Sequence, residues 1–215
     1  MTIHIDDRPD YGAFTYRFRG FLNQTTKHYF RHYSLKLVEK IRKTKNDDYC
    51  NGNQTRHQIV LNLLENFKQI YNKKVGNLAL MHYVENSHNT NSNFHWLDDD
   101  IYEFLKNGNE NGLFDNTVIF LFSDHGPRFN VKGKSSQHHL EERLPFFSIY
   151  IPDSYKDTYP DKYANFLSNK NLLTSPFDIY ATVRDLTCLD SSVQKNKNDR
   201  YRSISLFDRI SPYRN

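Results

Sequence analysis

Apolar residues recur at three- and four-residue spacing between residues 56 and 74, and this pattern predicts an amphipathic helix. The apolar positions are Ile59, Val60, Leu63, Leu64, Phe67, Ile70 and Tyr71. Such spacing places them on one stripe of a helix, because an α-helix repeats every 3.6 residues. The segment is therefore predicted to be a helix with one buried face.

Shorter apolar runs predict strands at residues 77–84, 117–122 and 145–152. Further helices are predicted at residues 97–106, 159–168 and 177–189, with Gly108 and Gly112 bracketing the exit of the first and Ser175-Pro176 preceding the last. The order helix, strand, helix, strand, loop, strand predicts an α/β fold with a mostly parallel sheet flanked by helices. We expect the run at 117–122, short and rich in β-branched and aromatic residues, to be a buried parallel strand.

The ends of the chain lack this regular pattern. Residues 1–55 hold many aromatic side chains without sustained periodicity, which predicts an irregular segment that wraps a core, followed by a short helix. Residues 56–190 are predicted to be the α/β core, and the polar residues 191–215 a surface tail. With 215 residues, the chain is long enough to form one unit with a substantial core, and we expect one unit.

The composition argues against a transmembrane segment and against nucleic-acid binding. Hydrophobic residues make up 37% of the chain, and the mean hydropathy is −0.80. No stretch approaches the ~20 apolar residues that cross a bilayer, so no transmembrane segment is predicted. The net charge of +4 is dispersed among acidic neighbours, which argues against nucleic-acid binding. The basic cluster at residues 36–45 fits a solvated helix face, with an anionic polymer as the alternative partner.

Two cysteines and two glycosylation triplets bear on the compartment. Cys50 and Cys188 are far apart and could form one disulfide or none. The triplets Asn-Gln-Thr at Asn23 and Asn53 are acceptors for N-glycosylation only if the protein enters the secretory pathway. Such triplets also arise by chance in a chain rich in asparagine.

Asp124 and His125 lie where the apolar run 117–122 meets a turn that contains Gly126 and Pro127. In open α/β sheets, chemistry collects at the carboxyl ends of the strands. A carboxylate and an imidazole are both ligands of divalent cations. The alternative is that Asp124 is a helix N-cap or turn residue whose carboxylate binds backbone N–H groups.

Other polar side chains could serve the same edge. His88 follows the strand 77–84 and could complete a metal site or bind a substrate oxygen; the alternative is an exposed histidine in an Asn-rich loop. His138 and His139 could supply a ligand or a leaving-group acid, or be ordinary surface residues of a loop. Arg128 places positive charge where a phosphate or sulfate oxygen would arrive, as basic loop residues also do by chance.

Several motifs together resemble a known family. They are Gly-Ala-Phe-Thr-Tyr-Arg-Phe-Arg-Gly-Phe at residues 12–21, Ser-His at 87–88, Ser-Asp-His-Gly-Pro-Arg-Phe at 123–129, Leu-Glu-Glu-Arg-Leu-Pro-Phe-Phe-Ser at 140–148, the segment 173–186 and Ser-Ile-Ser-Leu-Phe at 203–207. This string of motifs, in this order, resembles the animal family labelled domain of unknown function 229. Members of that family are similar to proteins of the alkaline phosphatase and sulfatase superfamily.

The resemblance implies that residues 1–215 are a single sulfatase-like unit, and that the protein is a metal-dependent hydrolase or transferase of phosphoric or sulfuric esters. It implies Asp124 and His125 as ligands of zinc, manganese or calcium, and His88, His138, His139 and Arg128 as substrate-facing residues. It implies a phosphate or sulfate ester as substrate, a glycan among the substrate classes, and a secretory or extracellular location.

The superfamily's nucleophile precedes the matched region, and the sulfatase sequence Cys-x-Pro-Ser-Arg does not occur here. We therefore expect a partial domain, the carboxyl-terminal part of such an enzyme, with the nucleophile outside these 215 residues. The alternative is a non-catalytic sulfatase-like domain that binds an anionic glycan or a protein partner.

Overall fold

The computed structural model describes residues 1–43, 49–88, 93–128, 135–187 and 203–214. The chain forms two compact units, one built from residues 1–114 and 125–146 and the other from residues 115–124 and 147–215. The strands are β1 (Thr2–Asp6), β2 (His28–Tyr29), β3 (Cys50–Asn51), β4 (Gln54–Thr55), β5 (Leu78–His82), β6 (Ile119–Phe122) and β7 (Phe147–Tyr150). The helices are α1 (Arg31–Lys43), α2 (Arg56–Tyr71), α3 (Phe94–Glu110), α4 (Ser136–Arg143), α5 (Asp153–Thr158), α6 (Pro160–Ser168) and α7 (Pro176–Leu186).

A three-stranded parallel sheet with the order β2-β1-β5 forms the centre of the first unit. Alternate residues of β1 point to opposite faces, as the pleat of a strand requires. Ile3 and Ile5 are buried in an apolar cluster with Val60 and Phe67 of α2. The predicted α/β class is confirmed. The central strand β1, however, lies in the segment predicted to be irregular, and that prediction is wrong for residues 2–6.

Helix α2 confirms the amphipathic helix predicted from the pattern at residues 56–74. It begins after Thr55, whose side chain accepts the backbone N–H of Gln58, while the Gln58 side chain accepts the backbone N–H of Thr55. This reciprocal capping box satisfies two donors that a helix start would otherwise leave without partners. The cap fixes where α2 begins and thereby which residues face the sheet.

The basic cluster at residues 36–45 lies mostly on helix α1, and residues 44–45 are outside the described residues. Leu37 and Ile41 are buried, while Lys36 and Lys43 are exposed and both bind the carboxylate of Glu39. The described part of the cluster is the solvated helix face expected from its composition.

Helix α3 is longer at both ends than the predicted segment 97–106. Gly108 lies in the last turn of the helix, and the ring of Phe114 occupies the space that a Cβ atom there would need. Gly112 follows the helix with a φ of +68°, a left-handed conformation that glycine adopts without steric cost. The two glycines lie on either side of the helix end at Glu110, as predicted, although the helix continues past the predicted end at Lys106.

The run predicted as a buried parallel strand pairs in the opposite direction. Strand β6 lies antiparallel to β7, with Ile119 opposite Tyr150 and Phe122 opposite Phe147. Leu121 and Phe122 are 36% and 47% exposed. Parallel and antiparallel ladders use the same backbone donors and acceptors, so an apolar run predicts a strand but does not choose its partner. Strands β6 and β7 therefore form a two-stranded antiparallel sheet of their own.

The second unit has its core around Phe207, in the stretch expected to be a polar surface tail. Phe207 is fully buried, and its ring centroid lies 4.9 Å from that of Tyr155 and 5.7 Å from that of Phe166. Leu206 and Ile210 are also buried. For residues 203–210 the expectation of a surface tail is wrong. Burial of the apolar side chains of Leu206, Phe207 and Ile210 is favourable, and it holds this stretch in the core.

Helix α7 begins at the predicted signal. Ser175 precedes Pro176, and the Asp178 carboxylate accepts the backbone N–H of Ser175 at 2.7 Å. In the described part of the chain, no helix is long and apolar enough to cross a membrane.

Candidate functional site: the carboxyl edge of the parallel sheet

Asp6 ends strand β1 at the carboxyl edge of the sheet and is held by two histidines. Its Oδ1 lies 3.1 Å from Nδ1 of His82, the residue that ends β5, and 3.5 Å from Nε2 of His4. Burial acts to raise the pKa of Asp6, but hydrogen bonds and charge from His4 and His82 outweigh it and hold that pKa well below its usual range. Asp6 is therefore a buried carboxylate in its ionised form at neutral pH.

Asp7 is also buried and receives backbone donors from the loop after β5. Its two carboxylate oxygens accept the N–H groups of Val84 at 2.9 Å and of Glu85 at 3.2 Å. Burial raises the pKa of Asp7 to about 6, and the hydrogen bonds to backbone only partly oppose this effect. The carboxylate thus ties the end of β1 to the loop that leaves β5.

Glu85 joins two arginines that arrive from different elements. Nη1 of Arg8 donates to Oε1 and Oε2 of Glu85 at 2.9 and 3.1 Å, and Arg56 at the start of α2 contacts the same carboxylate. Arg8 also binds both oxygens of Asp10 at 2.9 Å. Because Arg56 and Glu85 are almost fully buried, each needs the other's charge to offset its lost hydration. The pair fixes the first residue of α2 against the loop.

His88 lies in the turn that follows β5, as the sequence predicts. The backbone N–H groups of Ser87 and His88 donate to the carbonyl of Val84 at 3.2 and 2.9 Å. The His88 ring packs on Tyr11 with a centroid separation of 4.4 Å and on the edge of Tyr16 at 5.8 Å. The His88 side chain is half-buried and lies among aromatic rings.

Asp124 and His125 follow strand β6 in the order that the sequence predicts. The side chain of Asp124 is exposed and that of His125 is half-buried. Nδ1 of His125 lies 2.7 Å from the carbonyl oxygen of Gly126. A carbonyl oxygen only accepts, so Nδ1 donates the proton, and in the neutral ring the lone pair is on Nε2, an atom through which histidines bind metals. The two side chains have the chemistry of a carboxylate and an imidazole ligand.

Gly126 is required by the close approach of helix α4. Its backbone N–H donates to the carbonyl of Glu142 at 2.9 Å, and a Cβ atom at this position would overlap the carbonyl oxygen of Glu141. Arg128, expected to face substrate, has its Nε 3.6 Å from the carboxylate of Glu142. The turn after Asp124 and His125 is thus fixed on α4 by backbone contact.

His138 and His139 lie on helix α4 and not in a loop as expected. The hydroxyl of Ser135 caps this helix by accepting the backbone N–H of His138 at 3.2 Å. His138 is buried and His139 is exposed, and their ring centroids are 6.2 Å apart. Neighbouring helical residues point about 100° apart, which explains why one ring is inside and the other outside.

Metal ligation by Asp124 and His125 stays a prediction. Across the described ranges, no group of three or more His, Cys, Asp or Glu side chains has the arrangement of a metal site. Two ligands from one dipeptide leave the remaining positions of a metal to water, substrate or other residues. Cys188 lies outside the described residues, so the prediction of one disulfide or none between Cys50 and Cys188 stays a prediction.

The sequence pattern missed the residues that build the carboxyl edge. They are His4, Asp6, Asp7, Arg8, Arg56, His82 and Glu85. One signal was present, because Ile3 and Ile5 alternate with polar residues and are followed by two consecutive carboxylates. The aromatic residues that follow, without periodicity, concealed this short strand.

These features define an α/β protein in which buried charged groups collect at the carboxyl edge of a parallel sheet. The chain belongs to the family described as protein of unknown function (DUF229), whose sequence pattern matches residues 1–215. No curated protein and no solved structure matches the chain. The family membership expected from the motifs is confirmed, and the relationship to alkaline phosphatases and sulfatases stays a prediction.

Proposed function

We propose that this chain is part of a metal-dependent hydrolase or transferase of phosphoric or sulfuric esters, with Asp124 and His125 as metal ligands. The observation that carries the proposal is the position of this carboxylate and imidazole, side by side after β6, with Nδ1 of His125 committed to the Gly126 carbonyl. This arrangement suits zinc, manganese or calcium in different degrees, since imidazole favours zinc and carboxylate suits all three.

A bound cation would stabilise negative charge on the attacked phosphoryl or sulfuryl group and activate the attacking oxygen. We propose that His88, His138, His139 and Arg128 face the substrate and that the nucleophile comes from a segment outside these 215 residues. His88 is supported for this role by its fixed position after β5, and Arg128 by its positive charge near the Asp124-His125 turn.

Metal binding is the direct test. We expect zinc or manganese at a hundred times its dissociation constant to raise the melting temperature by about 5–10 °C, measured by circular dichroism. Asp124→Asn and His125→Gln should each remove most of this rise. Asp98→Asn and His32→Gln, changes at exposed residues of α3 and α1, are matched controls and should keep it.

Equal metal responses in Asp124→Asn, His125→Gln and the controls would contradict the assignment of ligands. The absence of any response to zinc, manganese or calcium would favour the non-catalytic alternative, a domain that binds an anionic glycan or a protein partner. One observation supports that alternative, namely that in the described residues no group of three or more His, Cys, Asp or Glu side chains has the arrangement of a metal site. In that case, heparin should bind equally to the wild type and to Asp124→Asn.

A further inference from the structure

The turn that carries His88 is attached to the end of strand β1 through the backbone of one residue, Val84. The backbone N–H of Val84 donates to Asp7, and the carbonyl of the same residue accepts the N–H groups of Ser87 and His88. A displacement of Val84 would therefore move His88. The contact from Asp7 is buried, where loss of an acceptor leaves an unsatisfied donor and costs more than it would at the surface.

A second contact holds the same turn in register. Asp7 also accepts the N–H of Glu85 at 3.2 Å, and the Glu85 side chain is clamped by Arg8 and Arg56. Asn86, buried in the turn, donates from its side chain to the carbonyl of Asn93 at 3.0 Å. Each residue of the turn thus has its own contact. Val84 binds Asp7, Glu85 binds the two arginines, and Asn86 binds the residue that precedes α3.

The ring of His88 is positioned from the same end of β1. The ring centroids of Tyr11 and His88 are 4.4 Å apart. The guanidinium carbon of Arg8 lies over the same Tyr11 ring, 5.0 Å from its centroid. Arg8 follows Asp7 directly in the sequence. The backbone and the ring of His88 therefore both depend on the residues that leave β1.

We propose that Asp7 is a positioning residue for His88, which it holds through the backbone N–H and carbonyl groups of Val84. The role of His88 toward a phosphate or sulfate group rests on the function proposed above, whereas the positioning itself does not. The charged and titratable groups around Asp7 are Asp6 and Arg8 on its own strand, His82, Tyr83 and Glu85 at the end of β5, and Arg56 at the start of α2.

Amide hydrogen exchange in the 215-residue chain tests the positioning. Asp7→Asn presents an amide group to at least one of the two backbone N–H donors, so we expect exchange at Val84, Glu85 and His88 to accelerate about tenfold or more. Amides inside the β1 and β5 ladder should change much less. Asp98→Asn, an exposed change, is the control. Uniform acceleration over the whole sheet, or none at His88, would overturn the proposal.

Tyr11→Leu provides a second variant if Asp7→Asn does not fold. It keeps the Asp7 contacts, so the Val84 and Glu85 amides should stay protected while the ring resonances of His88 shift. Loss of protection at Val84 in Tyr11→Leu would show that the aromatic contact, and not Asp7, holds the turn, and it would overturn the proposal.

Binding of inorganic phosphate in the presence of zinc connects the positioning to function. We expect Asp7→Asn and His88→Gln to weaken phosphate binding by a similar factor, about tenfold, and the double variant to be no weaker than either. Additive losses would show that Asp7 acts independently of His88 and would overturn the proposal. If the wild type binds no phosphate, the function proposed above fails, and hydrogen exchange alone decides the positioning.

Discussion

The carboxylate of Asp7 accepts the backbone N–H of Val84 at 2.9 Å, and the backbone N–H of Asp7 donates to the carbonyl of His82 at 3.1 Å. The backbone pairing of β1 with β5 ends at Asp6 and His82. Beyond it, the contact with Val84 uses the carboxylate of Asp7 where a backbone carbonyl would otherwise accept. It also places an acidic group in an interior where its ionised form is disfavoured. The pairing of β1 with β5 therefore places the Asp7 carboxyl group where burial raises its pKa.

Asp7 should make folding stability depend on pH in an unusual direction. Burial raises its pKa from 3.8 to about 6, so the folded state holds the proton more tightly than the unfolded state. The stability it contributes is full below pH 3.8 and is lost as the pH rises through 6. Relative to Asp7→Asn, the wild type should lose up to about 3 kcal/mol of unfolding free energy between pH 4 and pH 7.

Urea unfolding followed by circular dichroism at several pH values measures this difference. The asparagine side chain of the variant does not titrate, so the difference between the two curves reports the titration of Asp7. Parallel curves for the wild type and the variant would contradict the raised pKa of Asp7.

Asp6 should show the opposite dependence. Burial alone would raise its pKa, but His4 and His82 hold it below the unfolded value, so its contribution is present above the unfolded pKa of 3.8 and is lost as the pH falls. We expect Asp6→Asn to lower the free energy of unfolding by about 2–3 kcal/mol at pH 7. The loss should shrink in acid, and Asp98→Asn should change stability by less than about 0.5 kcal/mol.

The buried Asp178 should be important for the stability of the second unit. Both its oxygens accept from Arg214 at 2.9 Å, and it also accepts the backbone N–H of Ile204 at 2.8 Å. Asp178→Ala leaves the arginine and several backbone donors without their acceptor, at an expected loss of about 3–5 kcal/mol. Thermal unfolding of Asp178→Ala, with Arg209→Lys as a surface control, measures it. A shift as small as that of the control would be inconsistent with this network.

Gly126→Ala should disturb the turn that carries Asp124 and His125. Its methyl group would overlap the carbonyl oxygen of Glu141, which belongs to the backbone and cannot rotate away. We expect a loss of stability of about 1–3 kcal/mol and a weaker response to metal. Gly76→Ala is the control, because a Cβ atom at Gly76 meets no other atom within 4 Å. If Gly126→Ala is destabilised but metal raises its melting temperature as much as that of the wild type, the conformation of this turn does not control metal binding by Asp124 and His125.

Local patterns in the sequence predicted the elements whose signals are local. The stripe from Ile59 to Tyr71 gave α2, Ser175 and Pro176 marked the start of α7, and the apolar runs gave β5, β6 and β7. Each of these signals depends on spacing or capping within a few residues, where backbone geometry alone decides the result. The order of Asp124, His125 and Gly126 after a strand was likewise predictable.

The residues of the carboxyl edge could not be assembled in this way. Asp6 and His82 are 76 residues apart, and only the parallel register of β1 with β5 brings them within 3.1 Å. Asp178 and Arg214 are 36 residues apart and meet only in the folded second unit. Nothing in the local pattern of either residue specifies its partner.

The amino-acid sequence by itself determined the α/β class, most of the helices, the position of Asp124 and His125 after a strand and the membership of the family. Tertiary structure alone decided that β1 is a central strand, that β6 pairs antiparallel with β7, that Phe207 is a core residue and that Asp7 holds the turn of His88. The physical reason is the distance along the sequence over which each signal acts. Periodicity and capping act within a few residues. Strand direction, burial and the pKa of a buried carboxylate depend on groups that only the folded chain brings together.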